Sequence, residues 1–261
     1  MKIFGKTSKI KVEEMESLND LLKNWSTDQG KKVLMTIFPH PDDETMATGG
    51  LLAVAHRLGW KTIAVVLTGG EAGRIHLRPN GRTLKHVRKE ELKKAAKILG
   101  ITKLITDDFG DGKLKGQEEG IGHWVEEILQ QYKPAIIATY DHFGATGHPD
   151  HITTSIVVKK IIREAPKKNQ PLLFWLSLEK SFRQRMSHPE ILKYASNPDY
   201  VLNLGWFWFK KWQAARAHKS QGLGKKWPLP LGQTLFLNQQ EWYYKVDLTK
   251  DYPYQFVDYQ I

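Results

Sequence analysis

Two short runs hold the side chains of this sequence best placed to do chemistry together: Pro39-His40-Pro41-Asp42-Asp43-Glu44 and Gly147-His148-Pro149-Asp150-His151. Each sets a His-Pro-Asp run where a buried-strand pattern gives way to a helical one. Proline suits the first turn of a helix, where its missing N–H is no loss. Residues three apart on that turn lie near one another. His40 and Asp43 can therefore converge on one point, as can His148 and His151. The chain has no cysteine, which excludes a thiolate zinc site, a disulfide framework and a cysteine nucleophile. Any metal must be held by His, Asp or Glu. A catalytic divalent metal such as zinc wants three protein ligands and one open position, and His40, Asp43 and His151 supply a two-His, one-carboxylate set. Asp42 is left beside the metal, suited to take a proton from a water whose pKa the metal lowers. His148, as an imidazolium, would stabilise a developing oxyanion and protonate a departing amine. Asp150 would hydrogen-bond that imidazole and keep it charged and oriented. One divalent metal per chain is expected, zinc first, with Fe2+ or another divalent ion as alternatives. A lone His-Pro-Asp reads as a turn and a lone Asp-Asp-Glu as a helix start. Their pairing, each after a buried strand, points to a metal centre.

The elements that must position these runs are read from periodicity. Residues 11–25 carry Val12, Met15, Leu18, Leu21 and Leu22 at helical spacing and predict a peripheral helix. Strands follow at Lys32–Phe38, Thr62–Leu67, Lys103–Thr106, Ala135–Tyr140 and Leu172–Leu178. Helices separate them at Asp43–Leu58, Lys85–Leu99, Ile121–Tyr132 and Pro149–Glu164, with Gly100 as a C-terminal stop. Continuous apolar strands between amphipathic helices imply a doubly wound α/β fold, Rossmann-like, its mostly parallel sheet covered on both faces. Ligands in such folds bind beyond the carboxyl ends of the strands, at the switch point between the two halves. If 135–140 pairs with the first core strand, the two runs face each other there. The reading divides the chain into a core at 1–180, including the peripheral helix, and a C-terminal extension at 181–261 packed on it as one domain. The extension is predicted to hold a helix near Phe209–Lys219 and strands at Gln233–Asn238 and Trp242–Asp247.

Weaker features surround the runs. Arg74, Arg78 and Arg82, in a polar stretch after Gly69-Gly70…Gly73, read as an exposed loop or as a rim that contacts substrate hydroxyls or a phosphate. Asp107, Asp108 and Asp111 follow the third strand and read as turn formers or as contacts to sugar hydroxyls. Gly205–Trp212 (GWFWFKKW) is aromatic at most positions, a signature of packing on the core, of a sugar-stacking wall, or, with Lys210 and Lys211, of an interfacial membrane contact. The net charge is +11, spread along the chain without a nucleic-acid-binding motif. No nucleic acid is expected, and peripheral contact with an anionic surface and homo-oligomerisation stay open. No segment is apolar enough to span a bilayer or to act as a signal peptide, so a cytoplasmic location is expected.

The two runs resemble the His-Pro-Asp-Asp-Glu and His-Pro-Asp-His motifs of the PIG-L/LmbE family of metal-dependent de-N-acetylases. The resemblance extends in order through Thr68-Gly69-Gly70-Glu71-Ala72-Gly73, Arg88-Lys89-Glu90-Glu91, Phe109-Gly110-Asp111-Gly112 and Ala217-His218-Lys219-Ser220-Gln221, covering roughly 32–221. Pro39 stands where the family more often has alanine. The resemblance implies hydrolysis of the N-acetyl group of an N-acetylglucosamine-type glycoside, a small-molecule amino-sugar substrate. It implies His40, Asp43 and His151 as metal ligands, Asp42 as base, His148 as the electrophilic or acid histidine, and Asp111 as a sugar contact. The competing readings are a metal hydrolase of another amide or of a phosphoester, and a non-catalytic basic binding protein.

Overall fold

The computed structural model describes residues 15–26, 31–74, 76, 81–177, 196–223 and 231–253. Its centre is one eight-stranded sheet. In chain order the elements are β1 (Glu16–Ser17), α1 (Leu18–Lys23), β2 (Val33–Phe38), α2 (Asp43–Arg57), β3 (Lys61–Val66), α3 (Leu84–Leu99) and β4 (Lys103–Thr106). Then come α4 (Glu118–Tyr132), β5 (Ile136–Thr139), α5 (Gly144–Gly147), α6 (Pro149–Glu164) and β6 (Leu172–Ser177). The C-terminal part adds β7 (Tyr200–Asn203), α7 (Phe207–Ala217), α8 (Leu231–Leu237) and β8 (Gln240–Lys245).

The sheet order is β1-β7-β8-β6-β5-β2-β3-β4. The five strands β4-β3-β2-β5-β6 are parallel, and β8 joins β6 and β7 antiparallel. The alternation of side chains along each strand builds two cores. Leu34, Ile136, Ala138 and Phe174 face α1, α2 and residues of α3 and α7. Met35, Ile37, Ile63, Val65 and Ile137 face α4 and α6. Covering on both faces explains why these strands read as unbroken apolar runs.

β2 pairs with β3 on one side and β5 on the other. The chain switches direction across the sheet at this pair, so the loops after β2 and β5 face one crevice, as the sequence required.

Two expectations are corrected. The N-terminal helix is only Leu18–Lys23, because Ser17 caps it by accepting the Asp20 N–H and residue 16 is already in a strand; residues 11–14 lie outside the described residues. Gln233–Asn238 is not a strand but falls largely in α8. β8 is already paired along both edges, by β6 and β7, so no ladder is open beside it and the segment packs on α7 instead. β7 and β8, from the C-terminal part, continue the sheet itself.

Candidate metal centre

His40 lies in the loop that leaves β2, and Asp43 opens α2. His148 is the N-cap of α6, Pro149 occupies its first turn, and Asp150 and His151 follow. The two helix starts bring His40 Nδ1, Asp43 Oδ2 and His151 Nε2 together. Nδ1 lies 3.3 Å from Oδ2 and 3.3 Å from Nε2, and Nε2 lies 3.7 Å from Oδ2. All three residues are buried.

The hydrogen bonds around these rings decide which nitrogens carry protons. His151 Nδ1 donates to the Gly144 carbonyl at 2.9 Å, leaving a lone pair on Nε2. Its ring stacks on Tyr140 at 4.1 Å and 8°, which fixes its plane. His40 Nε2 faces Asp111 Oδ1 at 2.9 Å and Asp150 Oδ2 at 3.1 Å, so that nitrogen is a donor, and Nδ1 is the one turned to Asp43 and His151. Tyr140 donates to the outer oxygen of Asp43 at 2.6 Å. Two imidazole nitrogens and a carboxylate oxygen thus converge on one small volume, which a proton on His40 Nδ1 or a metal cation would fill.

A four-coordinate zinc with bonds of about 2.0–2.1 Å sets its ligand atoms roughly 3.3–3.4 Å apart. The three donors fit that spacing, and carboxylate partners on the distal nitrogen are the usual support of a metal-bound histidine. A second grouping, His40, His148 and Asp150, also clusters. It fits less well, because the Asp150 oxygens already accept from His40 Nε2, Gly112 N and Leu114 N.

The charge balance agrees. In the metal-free arrangement, burial works against a charged His40, yet its contacts with Asp111, Asp150 and Asp43 outweigh this and raise its pKa well above the ordinary value. Burial also works against ionised Asp43, but His151 and His40 hold it well below the carboxylate range. Burial pulls His151 down to about 4. The cluster wants positive charge.

Asp42, between the ligands, sits at φ 115°, a left-handed conformation unfavourable to a residue with a Cβ. Three contacts hold it there. Its N–H donates to Glu44 Oε2 at 3.0 Å. Fully buried His218 approaches the other Glu44 oxygen at 3.3 Å. Arg88 of α3 lies 3.2 Å from Asp42 Oδ1 and donates to the carbonyls of Pro41 and Gly70. Burial first, and Asp43 second, push the Asp42 carboxyl up, against Arg88, to about 7.

Family comparison follows the same residues. The PIG-L model, described as GlcNAc-PI de-N-acetylase, matches residues 35–162, a span that takes in both motifs. A Bacillus subtilis (strain 168) protein described as "Probable N-acetyl-alpha-D-glucosaminyl L-malate deacetylase 2" is 30% identical over 198 residues, which cover 74% of this chain and 85% of that protein. The chain belongs to the PIG-L family. Diacetylchitobiose deacetylase of Thermococcus kodakarensis is 29% identical over 202 residues, covering 76% of this chain and 73% of that protein. Among solved structures, N,N'-diacetylchitobiose deacetylase from Pyrococcus horikoshii superposes with a TM-score of 0.66 at 19% identity, covering 91% of this chain and 96% of that one. A 4-carboxy-2-hydroxymuconate hydratase of Pseudomonas putida KT2440 superposes at 0.58 and 18% identity, covering 83% and 96%. The PIG-L fold therefore accommodates more than one chemistry, and the side chains must decide between them.

Within this PIG-L chain one expected contact changes. Asp150 does not hold His148; its carboxylate bonds His40, and only its backbone N–H reaches His148, donating to Nδ1 at 3.2 Å. Neutral His148 therefore carries its proton on Nε2. Burial first, and the charge of His40 second, lower the His148 pKa in the metal-free arrangement, which works against an imidazolium there. Asp111 turns one oxygen to His40 at 2.9 Å and with the other accepts the Ala72 N–H at 2.9 Å. Arg74 and Arg82 stand exposed, and Arg78 lies outside the described residues. Asp107 and Asp108 line a cavity of about 260 Å³ with Pro41, Thr68, Lys85 and Lys89. His142 packs among Phe143, Trp175 and Tyr252.

The part that sequence reasoning missed is the brace around Asp42. A Cβ on Gly70 would lie 2.4 Å from the Arg88 guanidinium carbon, and one on Gly73 would lie 2.6 Å from Arg88 Nη1. These glycines make room for an arginine rather than for a phosphate. Three residues along α3, Glu91 accepts from the Ser220 N–H and hydroxyl at 2.8 and 2.6 Å, fastening the segment that carries His218.

Proposed function

We propose that this chain hydrolyses the N-acetyl group of an N-acetylglucosamine-type glycoside, with one zinc ion held by His40, Asp43 and His151. The observation that carries the reading is Asp42, a carboxylate braced by Arg88 next to a buried two-His, one-carboxylate cluster. When bound, the metal polarises the amide carbonyl and lowers the pKa of the attacking water. Asp42 takes the proton of that water. Its pKa near 7 in the metal-free fold suits a base that works near neutrality. His148, proton on Nε2, donates a hydrogen bond to the oxyanion as it develops. Asp42 then returns the proton to the leaving nitrogen, and acetate and the free amine are the products. Asp150 and Asp111 hold the His40 ring in the tautomer that leaves Nδ1 open.

The relatives named above as deacetylases of glucosaminyl malate and of diacetylchitobiose support the amino-sugar class. The cavity beside Pro41, with two lysines and two aspartates on its walls, is a candidate place for the hydroxyl-rich remainder of the substrate.

The test is acetate release from N-acetylglucosamine and a panel of its glycosides, using zinc-reconstituted protein beside Asp42→Asn. Loss of a general base lowers kcat by roughly 10²–10⁴, and the best glycoside identifies the aglycone class. Zinc-loaded protein that releases no acetate from any of them, or Asp42→Asn at full rate, overturns the reading.

A further inference from the structure

The large hydrophobic side chains that stand exposed among the described residues all lie on two helices that pack together, or at their ends. They are Trp206 at 87% exposure, Leu237 at 67%, Phe236 at 56% and Phe209 at 41%. Trp206 and Phe209 belong to the start of α7, and Phe236 and Leu237 to the end of α8. Half-buried Trp208 joins the two, with ring centroids 5.4 Å from Phe236 and 5.7 Å from Phe209; Phe209 in turn meets Trp212 at 5.3 Å. A contiguous apolar face of this kind marks a contact surface more often than scattered single residues do.

The charge around it is of one sign. From residue 200 to residue 240 the sequence has six Lys and Arg and no Asp or Glu. Lys210, Arg216 and Lys219 are exposed, and Arg216 lies over the Trp212 ring at 4.8 Å. Lys211 does not belong to the face: it is buried against Glu241 at 2.7 Å.

This charge selects among occupants. A second copy docked through the same patch would bring Lys210 and Arg216 toward their own counterparts, with no acid from this segment to answer them. An anionic bilayer answers both features, since Trp and Phe settle at the headgroup level and Lys and Arg reach the phosphates. We propose that the α7–α8 face docks this protein peripherally on an anionic lipid surface.

The aromatic start of α7 lies away from the end that leads toward the reaction site. The aromatic end of α7 is Phe207, and its other end, Ala217, leads into His218 beside Glu44. Eleven residues of helix separate the two by about 16 Å. Docking therefore does not require a lipid substrate, and it stands or falls independently of the deacetylase reading.

The experiment is co-sedimentation of the full-length, zinc-loaded protein with vesicles of phosphatidylcholine containing phosphatidylglycerol, and with vesicles of phosphatidylcholine alone. Binding is expected to the anionic vesicles, weakening as salt is added. Trp206→Ser combined with Phe236→Ser should reduce partitioning by roughly tenfold or more. Lys210→Glu should reduce binding to the anionic vesicles only. Both variants change exposed side chains, so their thermal unfolding should match that of the parent. Absence of binding to either vesicle overturns the proposal, as does equal binding to both with Lys210→Glu silent. An oligomer that Trp206→Ser dissociates, without any vesicle binding, would reassign the face to copy-to-copy contact.

Discussion

Asp42 at φ 115° makes a prediction whose sign is the reverse of the ordinary one. Asp42→Ala and Asp42→Gly both delete the carboxylate and its ion pair with Arg88, so they differ only by a Cβ. In regular secondary structure the glycine variant would be the weaker by about 0.5–1 kcal/mol, because glycine loses more backbone freedom on folding. At Asp42 the alanine Cβ must occupy a disfavoured region, at roughly 1–3 kcal/mol. The difference leaves Asp42→Gly the more stable by about 0.5–2 kcal/mol, or about 1–8 °C in Tm for a chain of this size. Thermal unfolding of the two variants after chelation, with urea midpoints as a second measure, reads this directly. Activity cannot stand in for stability, since neither variant retains the base. Alanine equal to or above glycine would refute a backbone held at positive φ by Glu44 and Arg88.

Three further outcomes are expected. Asp150→Asn should weaken zinc affinity by about 10–100-fold, measured by competition with a chelating indicator; unchanged affinity would remove Asp150 from its place behind His40. Gly50→Ala should destabilise the fold by about 1–3 kcal/mol, because the new Cβ would lie 2.2 Å from Leu204 Cδ2 and 2.7 Å from Glu241 Oε1; an unmoved urea midpoint contradicts that packing. In metal-free protein, Asp42 titrates near 7 against an ordinary 3.8, so between those values the folded chain holds a proton the unfolded chain has lost, and stability falls as pH rises. Asp42→Asn escapes this loss, and its Tm should gain on the parent from about pH 5 to about pH 8; a gap that does not change with pH would show that Asp42 is not titrating there.

What the sequence made legible was local or governed by one topological rule. His40 with Asp43 and His148 with His151 are spaced by three residues at helix starts, and the switch-point rule brings the two pairs together. Asp150 was misread against a signal that was present: residues two apart on a helix do not face each other, so its carboxylate points away from His148, toward His40 and the Gly112 and Leu114 amides. Arg88 had its own sign, lying on the apolar stripe of α3 with Leu84, Leu92 and Ala95, where a charge must find a buried partner. Glu44 with His218 had none, since 174 residues separate them. The fate of Gln233–Asn238 likewise depended on whether β8 had an edge to spare, which no local pattern records.

Glu241 carries a consequence for the order in which the protein can be made. α2 breaks at Thr48, where φ/ψ are −134°/16°, and its second half begins anew with the amides of Gly50 and Leu51 donating to the Glu241 carboxylate at 2.7 and 2.9 Å. Lys211 and Tyr243 hold that carboxylate in place. The helix that presents Asp43 to the metal is thus completed by a residue about 190 positions later in the chain. During synthesis β2, β3 and both halves of α2 leave the ribosome long before their cap exists, so the nascent N-terminal half is expected to hold the ligand helix loosely, with tight metal capture arriving last. A chain shortened ahead of residue 240 would keep every ligand and lose the scaffold that aims them.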